Sequence, residues 1–249
     1  MKISILEKHQ QAKGQFNNGE ILENKPIGFP QEGGHKAYSN LFYWSHAWSD
    51  NGSLIGEHPH KGFEILSIVL EGEIEHFDNM NNKWIPLKKG DVQIIRAGSG
   101  IYHAERLKAG THMFQIWFDP DLTKTLDHQP SYDDYASGEF PVHETDGMTA
   151  KWIAGEGTPL HMETPGISIR EITMQSGDQI IKLEEETIAS LYLISGNLKI
   201  DDREMQPDDF AIISETTEIN LSAGENAWLM LITSPATLDY TPYLELFRK

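Results

Sequence analysis

The sequence predicts an all-β protein made of two similar barrels. Short apolar, β-branched runs alternate with turns rich in glycine, asparagine and aspartate along most of the 249 residues. This rhythm is typical of β-hairpins packed as a sandwich or barrel. The same hairpin pattern occurs around Gly72 and again around Gly196, and a chain of this length can form two domains with separate cores. Together these observations favour tandem barrels over a helical arrangement.

The first half of the chain has the clearer strand pattern. Its predicted strands cover residues 3–6, 41–44, 65–70, 73–77, 84–87, 92–95 and 113–118. Turn residues such as Glu71-Gly72 and Lys88-Lys89-Gly90-Asp91 separate them, as expected for hairpins. Residues 10–34 are polar and contain glycine, and we predict a loop at residues 28–34.

A change of composition marks the boundary between the predicted domains. Residues 119–150 contain three prolines and two glycines and few β-branched residues, which is typical of a connecting segment. We therefore predict an N-terminal domain at residues 1–118, an interdomain connection at 119–150 and a C-terminal domain at 151–249.

The second half repeats the β pattern of the first. Its predicted strands cover residues 167–174, 189–194, 197–200, 210–213, 219–221 and 228–233. Leu70-Glu71-Gly72-Glu73 matches Ile194-Ser195-Gly196-Asn197, and Leu87 to Val92 matches Met205 to Phe210. Internal duplication is the simplest explanation. The tail at residues 240–249 is predicted as a short helix.

A candidate metal site is formed by His58-Pro59-His60 and His103-Ala104-Glu105. Residues two apart in a strand point to the same face, so each pair projects together. A single histidine is more often a surface or core residue, but four ligand-type side chains at this spacing favour a metal site. Three imidazoles and one carboxylate suit Fe(II), Mn(II), Ni(II), Cu(II) or Zn(II) and leave coordination positions open, as in catalytic sites.

These motifs resemble the pirin branch of the cupin superfamily over roughly residues 38–120. The residues that carry the resemblance are His58 to Ile65, Leu70 to His76, Gly90 to Gln93, Ala97 to Glu105 and Gln115 to Trp117. The resemblance implies a bicupin, with two tandem jelly-roll-like barrels. It further implies that the N-terminal barrel holds one metal, usually iron, through His58, His60, His103 and Glu105.

The carboxylate ligand has two candidates within the resemblance. General cupins take it from a glutamate shortly after His-x-His, where this chain has Glu64, whereas pirins use the later glutamate, here Glu105. We favour Glu105 as the ligand. We predict that Glu64, Phe63 and Tyr102 lie next to the metal ligands or in the substrate pocket. For Glu64 the reason is that a carboxylate near a ligand imidazole often orients it. The aromatic residues predicted to line a pocket for a flat substrate are Tyr43, Trp44, Phe63, Tyr102, Phe114 and Trp117.

The resemblance implies two functions. Bacterial relatives include quercetin 2,3-dioxygenases, so the first hypothesis is a metal-dependent enzyme that opens the ring of quercetin-like flavonols with O2 and releases carbon monoxide. Glu105 would then serve both as ligand and as the base that takes the substrate proton. The second hypothesis follows mammalian pirin, an iron-binding regulator that acts through a protein partner. Under both, the cofactor is one divalent metal ion, Fe(II) first, with Ni, Mn, Cu and Zn as alternatives.

The second barrel is predicted to lack the metal site. In the matched sequence, Lys182 and Glu184 lie opposite the His-x-His pair, and Leu221 and Ala223 lie opposite the His-x-Glu pair. All eleven histidines occur at or before His161. We therefore predict one metal per chain, in the N-terminal barrel.

Composition excludes several classes of protein. The absence of cysteine excludes disulfides, thiolate metal sites and a cysteine nucleophile. Most of the net charge of −18 lies in residues 131–249, and the longest basic run is Lys88-Lys89, so we expect no nucleic-acid binding. The sequence has no apolar run of membrane-spanning length, and we expect a cytoplasmic protein without a membrane partner.

Overall fold

The computed structural model describes residues 1–80 and 82–246, and within them the chain is almost entirely β. In chain order the elements of the first half are β1 (Lys2–Leu6), β2 (Ala12–Phe16), β3 (Ile21–Ile27), β4 (Leu41–Ser49), β5 (Ser53–His60), β6 (Glu64–Glu71), β7 (Glu73–Asp78), β8 (Trp84–Lys88), β9 (Val92–Arg96), β10 (Ile101–Leu107), β11 (Thr111–Phe118), α1 (Leu122–Thr125) and β12 (Ser131–Tyr135).

The second half has shorter strands and ends in a helical turn. Its elements are β13 (Val142–Thr145), β14 (Met148–Ala154), β15 (Ser168–Met174), β16 (Gly177–Lys182), β17 (Thr187–Ser195), β18 (Leu198–Ile200), β19 (Arg203–Met205), β20 (Phe210–Ser214), β21 (Glu218–Ala223), β22 (Ala227–Pro235) and α2 (Tyr243–Leu246). The helix predicted at residues 240–249 is confirmed as α2, although residues 247–249 lie outside the described part of the chain.

The chain forms two compact units. The N-terminal unit contains Ala12–Glu139, Met162–Pro165 and the described part of Asp239–Lys249, and the C-terminal unit contains Met1–Gln11, Phe140–His161 and Gly166–Leu238. Each unit has one seven-stranded and one four-stranded antiparallel sheet. In the N-terminal unit the strand orders are β12-β9-β6-β11-β4-β3-β2 and β5-β10-β7-β8. In the C-terminal unit they are β1-β20-β17-β22-β15-β14-β13 and β16-β21-β18-β19.

The duplicated hairpins repeat in local geometry as well as in sequence. Gly72 and Gly196 both have a left-handed backbone, with φ of 77° and 84°, which glycine adopts without steric cost. A Cβ on Gly196 would also lie 2.2 Å from the carbonyl oxygen of Asn226. In the next turn Asp91 accepts a hydrogen bond from the amide of Lys88, and Asp209 accepts one from Gln206. The two turns are therefore built in the same way.

Within residues 10–34, β2 and β3 pair and β3 joins β4, two strands that the sequence did not predict. Glu23 and Lys25 on β3 are buried, and Lys25 Nζ lies 2.8 Å from a carboxylate oxygen of Glu32. Charged side chains that form ion pairs with one another can be buried in a strand. Such a strand lacks the alternation of apolar and polar residues from which strands are predicted.

The stretch at residues 119–150 contains α1, β12, β13 and the first residues of β14. β12 pairs with β9 of the N-terminal unit, and β13 pairs with β14 of the C-terminal unit. At the other end of the chain, β1 pairs with β20 of the C-terminal unit. Membership of a unit therefore follows strand pairing more closely than position in the sequence.

The register assigned to the second copy needs correction. Lys182 and Glu184 are exposed, whereas Ile181 and Leu183 are buried in the apolar core. Leu221 pairs with Gln179, just as His103 pairs with His58. Side chains alternate between the two faces of a strand. The side chains of β16 that point inward are therefore the odd-numbered ones, such as Ile181, and not Lys182.

Two further features concern the apolar residues of the chain. The C-terminal unit contains a large cluster of buried aliphatic side chains around Leu191 and Leu221, and the N-terminal unit contains smaller clusters, such as the one around Ile65 and Ile95. Among the described residues, no helix is long and apolar enough to cross a membrane.

Candidate metal centre

Three of the four predicted ligand residues converge on one face of the four-stranded sheet. β5 and β10 pair antiparallel, with His103 opposite His58 and Ile101 opposite His60. Directly opposite side chains in an antiparallel pair lie on the same face of the sheet. One nitrogen from each of His58, His60 and His103 lies within 4.8 Å of the others.

The hydrogen bond of the His58 imidazole favours the tautomer that can bind a metal ion. His58 Nδ1 lies 2.8 Å from the carbonyl oxygen of Gly56, and because a carbonyl can only accept, Nδ1 carries the proton and Nε2 has a free lone pair. His58 Nε2 lies 3.0 Å from His103 Nε2. Among the described residues, His60 Nε2 is buried without a hydrogen-bond partner, which is unusual for a buried polar atom.

The environment keeps the imidazoles of His60 and His103 neutral. Burial, with a smaller effect of His58, lowers the pKa of His60 to about 3. Burial also lowers the pKa of His103 strongly, and the imidazoles of His60, His58 and His76 lower it further. Neutral imidazole is the form that binds metal ions. Three imidazoles with nitrogens this close fit a divalent transition metal.

Glu105 lies in the same cavity, although it is not one of the three clustered groups. An irregularity in the pairing of β10 with β5 falls between His103 and Glu105. The Glu105 carboxylate is buried and accepts hydrogen bonds from Ser67 Oγ at 3.2 Å and from Gln115 Nε2 at 2.7 Å. These two donors lie opposite each other on β6 and β11, so the seven-stranded sheet holds the carboxylate in the cavity wall.

Glu64 faces a different part of the N-terminal unit. Its carboxylate accepts hydrogen bonds from the backbone amides of Glu163 and Thr164, at 2.8 and 2.7 Å. Arg96 Nε lies 3.9 Å away. Burial raises the pKa of Glu64, although these hydrogen bonds oppose the shift. Glu64 does not line the cavity, and its two oxygens fasten the segment Met162–Pro165.

The cavity beside the imidazoles is large and mainly aromatic. It has a volume of about 870 Å³, within the range of small-molecule sites. Its aromatic walls are Phe29, Phe42, Tyr43, Phe63, Trp117 and Tyr243. The Trp117 ring meets the His60 imidazole edge to face at a centroid distance of 4.8 Å, which joins the aromatic part of the cavity to the histidines.

The predicted pocket residues divide into two groups. Tyr43, Phe63 and Trp117 line the cavity. Trp44 and Phe114 are fully buried against each other, and Tyr102 is 50% exposed with its amide bonded to Asn79. These three residues are not part of the cavity wall, so including them among the pocket residues was wrong.

Sequence reading missed several residues of the cavity. Gln115 had a local signal, because it is a polar residue between Met113 and Trp117 on the inward face of β11, and all three line the cavity. Phe29 comes from a loop, and Tyr243 from α2 near the end of the described chain. No local pattern relates these two residues to the histidine motif.

Comparison with known proteins places this site in a class and then in a family. The fold and the histidine cluster define a cupin-type protein with a candidate metal centre. The pirin family model matches residues 35–118. A Zymomonas mobilis protein provisionally named quercetin 2,3-dioxygenase is 31% identical over 191 residues, covering 74% of this chain and 77% of the relative. A pirin-like protein of Caulobacter vibrioides is 31% identical over 181 residues, covering 70% and 75%. The chain belongs to the pirin family.

Solved structures give the same fold. The bacterial pirin of Escherichia coli, crystallised with nickel(II), superposes with a TM-score of 0.78 at 21% identity and covers 95% of this chain and 100% of that chain. The predicted bicupin fold and the family resemblance are both confirmed.

Proposed function

We propose that the protein is a metal-dependent dioxygenase that opens the ring of quercetin-like flavonols with O2 and releases carbon monoxide. The observation that carries the proposal is the cluster of three imidazoles beside an aromatic cavity that also contains a buried carboxylate. Relatives named quercetin 2,3-dioxygenase support the same reaction class.

In this proposal His58, His60, His103 and Glu105 hold one divalent metal ion, Fe(II) first among the candidates. When bound, the metal would supply positive charge that lowers the pKa of a substrate hydroxyl and would supply the redox chemistry with O2. The remaining roles belong to side chains of the protein.

Glu105 is the proposed base. Its carboxylate lies in the cavity wall, and its hydrogen bonds to Ser67 and Gln115 keep it in one orientation. A carboxylate that coordinates through one oxygen keeps the other available for the proton of the flavonol hydroxyl. Trp117 Nε1 donates to Gln115 Oε1 at 3.2 Å, which leaves the Gln115 amide nitrogen oriented toward Glu105.

The aromatic walls orient the substrate and exclude water. Phe63 and Phe42 lie 4.4 Å apart between ring centroids, and Tyr243 meets Phe63 at 5.0 Å. Flat aromatic surfaces of this kind favour a planar ligand through stacking and apolar burial. A dry cavity also protects reactive species from water.

The proposal is tested by oxygen uptake and carbon monoxide release with quercetin, using protein loaded in turn with Fe, Ni, Mn, Cu and Zn. Glu105→Gln nearly preserves shape but removes the charge and the proton acceptor. It should reduce turnover by about 100-fold or more while flavonol binding in the absence of O2 changes little. If no metal form takes up oxygen with any flavonol, the proposal fails and the regulator acting through a protein partner becomes the better hypothesis.

The identity of the carboxylate ligand has its own test. Glu105→Ala should weaken metal binding more than Glu64→Ala, because Glu64 is bonded to the 163–164 backbone. Equilibrium dialysis of each variant against a buffered metal series gives the order. The reverse order would make Glu64 the ligand.

A further inference from the structure

The cavity contains a second polar group, which is not part of the proposed metal centre. Glu23 on β3 lines the cavity together with Tyr43 on β4. Glu23 Oε1 accepts hydrogen bonds from the Tyr43 hydroxyl at 3.0 Å and from Ser45 Oγ at 2.8 Å. A few polar atoms in an otherwise apolar cavity usually determine how a ligand is oriented.

The hydrogen-bonding direction in this group is fixed. A carboxylate only accepts, so the Tyr43 hydroxyl donates its proton to Glu23. Burial and the Glu23 charge raise the pKa of Tyr43 well above its usual value, which keeps that proton in place. The Tyr43 oxygen can therefore offer a ligand only its lone pairs, and a matching ligand group must carry an O–H or N–H donor.

The charge of the group favours a neutral donor over an anion. Lys25 Nζ lies 3.7 Å from Glu23 Oε2 and 2.8 Å from Glu32 Oε1, so two carboxylates share one ammonium. A ligand carboxylate placed here would meet net negative charge in a poorly solvated cavity.

The chain is built to leave room for this carboxylate. β2 contributes Gly14 opposite Glu23, and a Cβ on Gly14 would lie 2.1 Å from Glu23 Oε2. Any larger residue at position 14 would displace the carboxylate.

The indole of Trp117 contacts both this group and the histidines. Its centroid is 4.8 Å from that of His60 and 5.2 Å from that of Tyr43. A flat ligand of two or three rings that lies along Trp117 would reach the imidazoles with one end and Tyr43 with the other.

We propose that Glu23 and Tyr43 form a hydroxyl-accepting subsite that binds a phenolic O–H at the end of the aromatic substrate remote from the imidazoles. This inference rests on the proposed function and specifies its substrate further: the flavonol carries a hydroxyl donor on its pendant ring. The Tyr43 oxygen accepts a hydrogen bond from the ligand hydroxyl, and Glu23 polarises Tyr43 for that role.

The test compares two flavonols, quercetin and the analogue that lacks both hydroxyls on the pendant ring. Dissociation constants are measured without O2, on metal-loaded protein, by quenching of tryptophan fluorescence. Wild type should bind quercetin about 10- to 100-fold more tightly than the analogue, the range expected for hydrogen bonds to a charged or polarised acceptor. Tyr43→Phe should abolish this preference while leaving the affinity for the analogue within about 3-fold, and Glu23→Gln should reduce it.

Tyr102→Phe is the matched control, because it removes a tyrosine hydroxyl outside the cavity, and it should keep the full preference. Thermal unfolding and metal content identify any variant that has lost its fold. If Tyr43→Phe weakens both flavonols equally, or if wild type shows no preference, the subsite is disproved even when quercetin is turned over. Failure of both flavonols to bind would overturn the subsite together with the flavonol substrate class, whereas a preference without turnover would refute only the dioxygenase reaction.

Discussion

The inner face of the seven-stranded sheet of the N-terminal unit carries Ser45, Gln115 and Ser67 side by side on neighbouring strands. In the C-terminal unit, which has the same numbers of strands in its two sheets, the buried cluster is formed by aliphatic residues and methionines. Ser67 and Gln115 hold the Glu105 carboxylate, whereas Leu191, Leu221 and their neighbours only exclude water. The comparison teaches that the barrel itself does not determine the chemistry, which depends on the side chains that point inward.

The largest expected effect comes from breaking the histidine cluster. His103→Ala should abolish metal binding and all metal-dependent activity, a larger effect than the roughly 10- to 100-fold loss that follows removal of an outer-sphere partner. Elemental analysis of the purified variant measures this. His9→Ala removes an exposed imidazole and should retain one metal per chain. Near-full occupancy in His103→Ala would contradict the proposed ligand set.

The second test makes a cavity in the aliphatic cluster of the C-terminal unit. Leu221 on β21 is 1% exposed within the aliphatic cluster, so Leu221→Ala should lower the free energy of unfolding by about 2–5 kcal/mol. Urea unfolding provides the value, and metal content should not change. Ile180 on β16 is 57% exposed, and Ile180→Ala should cost about 0.5 kcal/mol or less. Loss of metal in Leu221→Ala would mean that the two interiors are not independent.

The third test addresses the segment that brings Tyr243 to the cavity wall. Asp119 accepts a hydrogen bond from the backbone amide of Tyr243, and burial raises the pKa of Asp119 to about 6 from an ordinary value of 3.8. Because the folded state holds this proton more tightly than the unfolded chain, stability should fall as the pH rises from about 4 to 6 and stay lower above that. The shift corresponds to a decrease of up to about 3 kcal/mol.

Asp119→Asn keeps an oxygen for the Tyr243 amide and does not titrate. The free energy of unfolding of both proteins is measured in urea from pH 4 to 8. As the pH rises through this window, the wild type should lose stability relative to the variant. Parallel pH profiles for the two proteins would show that Asp119 does not have the raised pKa.

The smallest expected effect is on duplex DNA. The chain has a net charge of −18, and its acidic half should repel phosphate. A mobility-shift titration at physiological salt should show no complex. Tight, sequence-selective binding by the purified protein would contradict this expectation and favour a direct regulatory role.

Several parts of the structure could be read from local sequence pattern. β4, β6, β7, β8, β9 and β11 lie where the apolar, β-branched runs predict them, and the turns around Gly72 and Gly196 share a left-handed backbone. The convergence of His58, His60 and His103 followed from two-residue spacing on paired strands. Alternation along a strand is a local property that an amino-acid sequence carries directly.

Other parts depended on which strands pair and how loops return. The sequence placed Glu64 near the histidines, but the amides of Glu163 and Thr164, about one hundred residues later, bind its carboxylate. Exposure of Tyr102 and the contribution of Tyr243 to the cavity likewise follow from contacts between distant segments. The sequence alone therefore determined the strands that have a clear apolar pattern, the duplication and the histidine cluster, because each depends on neighbouring residues. Only the tertiary structure decided the orientation of Glu64, the cavity wall and the pairing of β1 with β20, because these depend on long-range packing that no local pattern records.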